Sequence, residues 1–470
     1  MGRVVVADDS LQDSLTALAK AGTFQLGLLI GQSTSDKDII VHLAPTPVPD
    51  EGDLSSEEEE AVPLKQEPNR PKYPDSIPKV VETTVSQHAR QVVRMLPGGL
   101  DVIGVYVVTP QADFTTSASQ TKLRLILTAT HKTTSRTLLE TAEARTGKVI
   151  LHACTQSLKT VCKTLDVSPS STSTQENADL KFQRGGSKWH QLSYSYNINL
   201  NLWLPKNKPS QSLYKTIISL LRPWAKSVTQ SLILIDSEMP DDEDSLDSSV
   251  EDKPTKKKGG NRGLMELTPP KVFKVDILDP LTPTLSPSGL NDISGNIRFS
   301  GTLAGLSFVH SKATVGEARA AVMVDLVRSV LARWEMHCDS LVEEPPSPIS
   351  GAIVHEPPRR VFLEGGGLPV SLCDYLFPGD SCADACQSAK ELLGLRIRKE
   401  HVDDSQETLA DASEVMYNAD ISVTGGEEME VQGSSREGPC STTHLLLALA
   451  VAAVGMGVSF VALQSSSPLT

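Results

Sequence analysis

His152 and Cys154 stand two residues apart in the stretch KVILHAC, so on a strand they share a face, as a thiol nucleophile and its base would. Buried strands place side chains two apart for packing alone, and that explanation suffices here. Cys162 offers a second thiol for the same rival reading, a thiol or isopeptidase hydrolase. Cys382 and Cys386 lie i, i+4 apart, with no second Cys/His pair nearby to complete four zinc ligands. Glu364–Pro369, EGGGLP, is glycine-rich but lacks the strand-turn-helix setting of a phosphate loop, so it reads as a tight turn. Lys256–Lys258 is a charge run in a linker, where solvation explains it better than a targeting signal. No residue set here points to catalysis, a cofactor or a metal, and the expectation is that the protein is not an enzyme.

The strongest chemical signal is instead apolar. Leu445 to Leu463, LLLALAVAAVGMGVSFVAL, is uncharged throughout. As a helix it would be about 28 Å long, enough to span a hydrocarbon core. Leu445, Leu446, Leu447, Leu449, Val451, Val454, Val458, Phe460, Val461 and Leu463 supply the lipid-facing surface; together they favour insertion by roughly 3–6 kcal/mol. A buried soluble helix would carry a polar stripe, and this run offers only Ser459. Met1–Ser14 has neither an apolar secretory core nor the Ser or Thr that myristoylation wants, since Val6 stands there. The expectation is a tail anchor inserted after translation. Cys440, five residues before the run, is a candidate for palmitoylation.

A net charge of −14 over 470 residues, with no basic stripe interleaved with aromatics, argues against nucleic acid as a partner. Seven scattered cysteines, an odd number, fit a reducing compartment. The body therefore belongs in the cytosol, with a short lumenal tail at 464–470.

The elements that would position these groups follow from periodicity. Leu11, Leu15 and Leu18 predict a short helix over Ser10–Lys20, and Gln25–Gly31 with Asp38–Pro45 a β-hairpin. Thr46–Pro78, rich in Pro, Glu and Ser, reads as a disordered insertion. Val85, Ala89, Val92 and Leu96 mark a helix ended by Pro97-Gly98-Gly99, before a strand at Asp101–Val108 that is apolar on both faces. Leu123, Leu125 and Leu127 alternate as in a strand, and Lys148–Cys154 and Lys159–Leu165 read as two more. Leu192–Leu204 alternates most regularly, followed by a helix near Gln211–Ser227 and a strand at Ser231–Ile235. Ser237–Gly263 reads as an acidic linker. Beyond it, Asn296–His310 predicts a hairpin around Gly301–Gly305, and Thr314 with Glu317 a capping box opening a helix to about Val342. Two strands, a helix over Asp384–Leu393 and a flexible tether over 397–443 complete the chain. The fold class expected is α/β (α+β): a domain over 1–236, a smaller α+β part over 264–396, and one C-terminal transmembrane helix.

Two resemblances join these readings. QLGLLIGQ, DIIVHLAPTPVP and GGLDVIGVYVV resemble the first hairpin and central strand of the MPN (JAB/MPN) fold. Metallopeptidase members carry a Glu before the first strand and a His-x-His pair after the central one. Here Phe24 and Gln25, and Val107, Val108 and Thr109, stand at those places, so the resemblance implies a catalytically inactive member. Over nearly the whole chain, MGR, GLLIGQ, RMLPGGLDVIGVYVV, RPWAK, RRVF with LCDYLF, and the C-terminal run resemble the odorant-response-abnormal protein four family. That resemblance implies an adaptor at the endoplasmic-reticulum membrane. It would assist folding or trafficking of a subset of G-protein-coupled receptors and hold the ubiquitin-fold-modifier-specific cysteine peptidase there.

Overall fold

The doubly apolar strand expected at Asp101–Val108 lies in the middle of an eight-stranded sheet. The computed structural model describes residues 3–47, 74–135, 145–171, 174–184, 186–205, 213–246, 271–280, 293–343, 352–407 and 459–464. Its first part runs β1 (Val4–Asp8), α1 (Asp9–Ala21), β2 (Gln25–Ser33), β3 (Lys37–Pro45), α2 (Glu82–Arg94), β4 (Asp101–Thr109), α3 (Gln111–Phe114), α4 (Ser117–Thr134), β5 (Gly147–Cys154), β6 (Thr160–Asp166), β7 (Glu176–Asn177) and β8 (Asp179–Gln183). The sheet order is β7-β6-β5-β4-β2-β3-β1-β8, with parallel and antiparallel neighbours mixed. Val105 and Val107 of β4 enter a core with α2 and α4, while Tyr106 and Val108 enter a core with α1 on the opposite face. Both faces are covered, which is why β4 carries no polar alternation.

The alternation at Leu123–Leu127 misled the sequence reading, because these residues are helical in α4. Leu123, Ile126, Leu127 and Thr130 are buried at i, i+3, i+4 and i+7, while Leu125 stays half exposed. Of the insertion expected at 46–78, residues 48–73 lie outside the described residues. The chain re-enters the core at Ile77, which is fully buried.

The second part comprises β9 (Trp189–Pro205), α5 (Leu213–Val228), β10 (Leu232–Ile235), β11 (Lys271–Leu278), β12 (Ile293–His310), α6 (Val315–Glu343) and β13 (Ala352–His355). β12 is one continuous strand, not the expected hairpin, and pairs antiparallel with β9 along its length. Its Gly305 makes room instead of a turn: a Cβ there would lie 2.0 Å from Cζ of Tyr194. Strand pairing also crosses the linker expected at 237–263. β10 pairs with β11 and β11 with β9, so the acidic stretch sits between paired strands of one sheet. Linker composition marks solvent exposure there, not the edge of a folding unit.

β14 (Arg359–Leu363), β15 (Leu372–Leu376), α7 (Cys382–Leu393) and β16 (Val402–Asp403) follow. Val361, Leu363, Leu372, Leu376, Ala389 and Leu393 join the α2/α4 core, so this segment belongs with the first sheet although it follows the second. Two imidazoles fasten it: His42 Nε2 donates to Leu393 O and His88 Nε2 to Leu392 O, each at 2.7 Å. They satisfy carbonyls that a helix end leaves open. The tether expected from 397 begins later, since β16 and the buried Glu407 are still part of the fold.

Of the membrane helix expected at Leu445–Leu463, residues 445–458 lie outside the described residues. Ser459–Gln464 form a strand, β17, whose backbone pairs antiparallel with β12 and β13. This corrects the helical reading for those residues. Among the described residues no helix is long and apolar enough to cross a membrane.

Candidate functional site

Pro97, Gly98 and Gly99 turn the chain from α2 into β4 against the second part. Gly98 N donates to Leu306 O of β12 at 3.2 Å and to Asp325 Oδ1 of α6 at 2.8 Å, and Gly98 O accepts from Phe308 N at 2.8 Å. A Cβ at Gly98 would stand 2.1 Å from the Ala321 carbonyl oxygen, so the approach requires glycine. Asp325 is fully buried and accepts three further hydrogen bonds. Tyr194 OH reaches Oδ2 at 2.7 Å, and Arg360 sends Nη1 to Oδ2 and Nη2 to Oδ1, both at 2.8 Å. Arg360 Nη2 also meets Cys373 Sγ at 3.1 Å.

A second pair lies beside it. Arg333 Nη2 donates to both oxygens of Glu407, at 2.6 and 2.8 Å, and Glu407 accepts from Ala304 N at 2.9 Å and Arg360 N at 2.7 Å. All four charged side chains are 0–1% exposed. Burial opposes the charge on Arg360, but Asp325 outweighs it and holds the guanidinium well above its ordinary value. Burial, reinforced by the Asp325 carboxylate, pushes Tyr194 far up, so its hydroxyl stays a donor. The two carboxylates and two guanidiniums neutralise one another in an enclosed space. The arrangement therefore positions elements and performs no chemistry: it ties β9, β12, α6, β14, β15 and the turn after α2 to one point, where the chain leaves the body at Glu407.

The sequence reading quoted Gly98, Arg360 and Cys373 only as parts of RMLPGG, RRVF and LCDYLF, without joining them. Asp325 was a usable signal: it lies among Val322, Leu326 and Val330 on the buried face of α6, where a carboxylate needs a partner.

The residues considered for chemistry are placed otherwise. His152 is buried, stacks on Phe114 with centroids 4.1 Å apart, and donates Nε2–H to Thr109 O at 2.9 Å; burial lowers its pKa. Cys154 is held below the usual thiol range: burial pushes it up, but hydrogen bonds from Ser157 and from the Gln156 and Gln111 backbones outweigh that. Cys162 is pushed up to about 12 by burial. Cys382 and Cys386 are half-buried on α7, and among the described residues no three His, Cys, Asp or Glu side chains gather as a metal site. Gly365, Gly366 and Gly367 all have positive φ, as a tight turn between β14 and β15 requires. Gln25 pairs with Val108 in the sheet register. Cys440 and Lys256–Lys258 lie outside the described residues, as do the anchor positions from Leu445 to Val458. Phe460, Val461 and Leu463 fall in β17.

Asp374, next to Cys373, gives a pH-dependent signature of this region. Burial raises its carboxyl to about 6, against the Tyr375 N–H at 2.8 Å and the Ser388 side chain, which lower it. The folded pKa exceeds the unfolded one, so this contribution to stability is complete below about pH 4 and is lost as pH rises through about 6. Asp374→Asn should remove that decline and leave the variant more stable than the native chain at pH 7 by on the order of 2 kcal/mol. Denaturant unfolding at pH 4, 5, 6 and 7 checks it; equal declines in both chains would refute the assignment.

Comparison with known proteins adds the following. The family model described as "Odorant response abnormal 4-like" matches residues 27–404. The chain is 29% identical to "Protein odr-4 homolog" of Homo sapiens, an alignment covering 98% of this chain and 99% of that one. It is 24% identical to "Odorant response abnormal protein 4" of Caenorhabditis elegans, over 95% of this chain and 90% of that one. Among solved structures, "Crystal structure of UfSP from C.elegans" aligns with 84% of this chain and 56% of its own, at 8% identity and a TM-score of 0.38.

Proposed function

The chain belongs to the odorant response abnormal 4-like family, and on that premise we propose that it is an adaptor, tethered to the endoplasmic-reticulum membrane with its folded body in the cytosol. It assists folding or trafficking of a subset of G-protein-coupled receptors and recruits the ubiquitin-fold-modifier-specific cysteine peptidase. The observation that carries this reading is the family match over 27–404, followed by an uncharged apolar run at Leu445–Leu463. The anchor works by mass action, since confinement near a surface raises the local concentration of whatever the body binds. Residues 408–444 as a coil would reach about 35 Å from Glu407.

A spanning helix over Leu445–Leu463 and the strand β17 exclude one another, so insertion would release Ser459–Gln464 from β12 and β13. We read the first sheet as MPN-like and non-catalytic. In support, Phe24, Gln25 and Val107–Thr109 offer no zinc ligand, and His152 is committed to Thr109 O and the Phe114 ring.

The test is affinity capture of the intact chain and of a truncation ending at Thr443 from membranes, with mass spectrometry of what each retains. The peptidase should co-purify with both forms, and should move to the soluble fraction with the truncation. Loss of the peptidase from both would refute recruitment by the body; retention of the truncation in carbonate-washed membranes would refute the anchor.

A further inference from the structure

Three helices from two parts of the protein converge on a cleft of about 530 Å³. Arg90 and Arg94 are i, i+4 on α2; Lys215 and Arg222 are i, i+7 on α5; Arg328 and Glu335 are i, i+7 on α6. Each pair shares one helix face, so the faces turned to the cleft carry five cations and a single carboxylate. That balance opposes the whole chain, whose net charge is −14.

The carboxylate does not settle the excess. Glu335 bridges Arg90 and Arg94, the latter through Nε at 2.9 Å and Nη2 at 2.6 Å, so one negative charge serves two guanidiniums. Arg328 Nη1 donates to the carbonyls of Leu100 at 3.0 Å and Leu96 at 3.4 Å, which orient it without neutralising it. Burial lowers the pKa of Arg94 and the charge of Arg90 adds to that, while the nearby Asp339 acts against both. Lys215 and Arg222 stand exposed at the mouth, and Ile218 and Leu331 form part of an apolar wall.

We propose that this cleft binds a small organic molecule bearing one or two phosphoryl groups, its charge held by Arg94, Lys215, Arg222 and Arg328 and its body lying on the Ile218/Leu331 wall. The volume suits a ligand of nucleotide size, and guanidinium forks match phosphoryl oxygens in pairs. A soluble phosphate ester and a phospholipid headgroup share this chemistry. The site is independent of the adaptor reading, since it needs neither the peptidase nor a receptor.

The test is calorimetric titration of the intact, detergent-solubilised chain with pyrophosphate and with adenosine diphosphate, against sulfate at matched ionic strength. Flotation with phosphatidylcholine vesicles, with and without phosphatidylinositol 4-phosphate, forms the second arm. Lys215→Glu and Arg222→Glu serve as variants, because both side chains are exposed and lie outside the buried ionic junction; circular dichroism checks that they fold. Either soluble phosphoryl compound, or the phosphoinositide vesicles, should bind the native chain, and each variant should bind about tenfold or more weakly. Binding in the first arm alone identifies a soluble ligand, and in the second alone a headgroup. No binding in either arm, or binding that both variants retain at native strength, overturns the proposal.

Discussion

Replacing Arg360 by methionine should destabilise the protein by about 3–5 kcal/mol, because it strands a carboxylate in the interior. Asp325 is 0% exposed and would keep only the Tyr194 hydroxyl and the Gly98 N–H. The loss extends past one ion pair. Arg360 Nη2 also contacts Cys373, and its backbone N–H donates to Glu407, so the side chain sits between two charge pairs and three sheets. Coupling follows from that geometry. Asp325→Asn alone leaves a buried guanidinium uncompensated, whereas the double variant removes both charges. The double variant should therefore cost less than the sum of the two singles, by at least about 1 kcal/mol. Denaturant melts of the four chains at pH 7 measure the cycle. Additive costs would mean that Asp325 and Arg360 do not stabilise one another, and that Gly98 and Tyr194 hold the junction unaided.

How much of this the sequence disclosed depends on how local each cause is. The hairpin β2–β3, the strand β4 and the capping box of Thr314 and Glu317 rest on neighbouring residues, and each forms where its pattern placed it. α4 was misread because Leu123, Leu125 and Leu127 satisfy a two-residue period. The burial of Ile126 and Thr130, which decides for the helix, depends on packing against α2. β12 was misread because Gly301 and Gly305 resemble turn residues, and only the Tyr194 ring, far away in sequence, explains Gly305. The domain edge at 237–263 failed for the same reason: a charged linker says that chain is solvated, and says nothing about whether the strands on either side pair with each other. Membership of the family was legible across the chain, since the stretches quoted for it lie mostly inside 27–404. The ionic junction and the cationic cleft were not, as each joins residues more than two hundred positions apart.

Where the tether starts has consequences that can be separated from where it ends. Truncation at Thr443 removes the apolar run and should leave the unfolding free energy of the body within about 0.5 kcal/mol of the intact chain, since residues 408–443 contribute no part of the described core. Glu407→Ala in the intact chain should instead cost about 3–5 kcal/mol. It leaves Arg333 buried without a counter-charge and orphans the N–H groups of Ala304 and Arg360. The two variants thus divide the protein's properties in opposite ways. The truncation keeps the fold and gives up the membrane; Glu407→Ala keeps the apolar run and loosens the point from which the tether departs. Fractionation combined with denaturant melts reads both, and equal stability of Glu407→Ala and the native chain would refute the assignment of Glu407 as the root of the tether. If the Glu407→Ala chain stays membrane-bound but retains less peptidase than the native chain, recruitment depends on the body being held in one piece at that junction, and anchoring alone is insufficient.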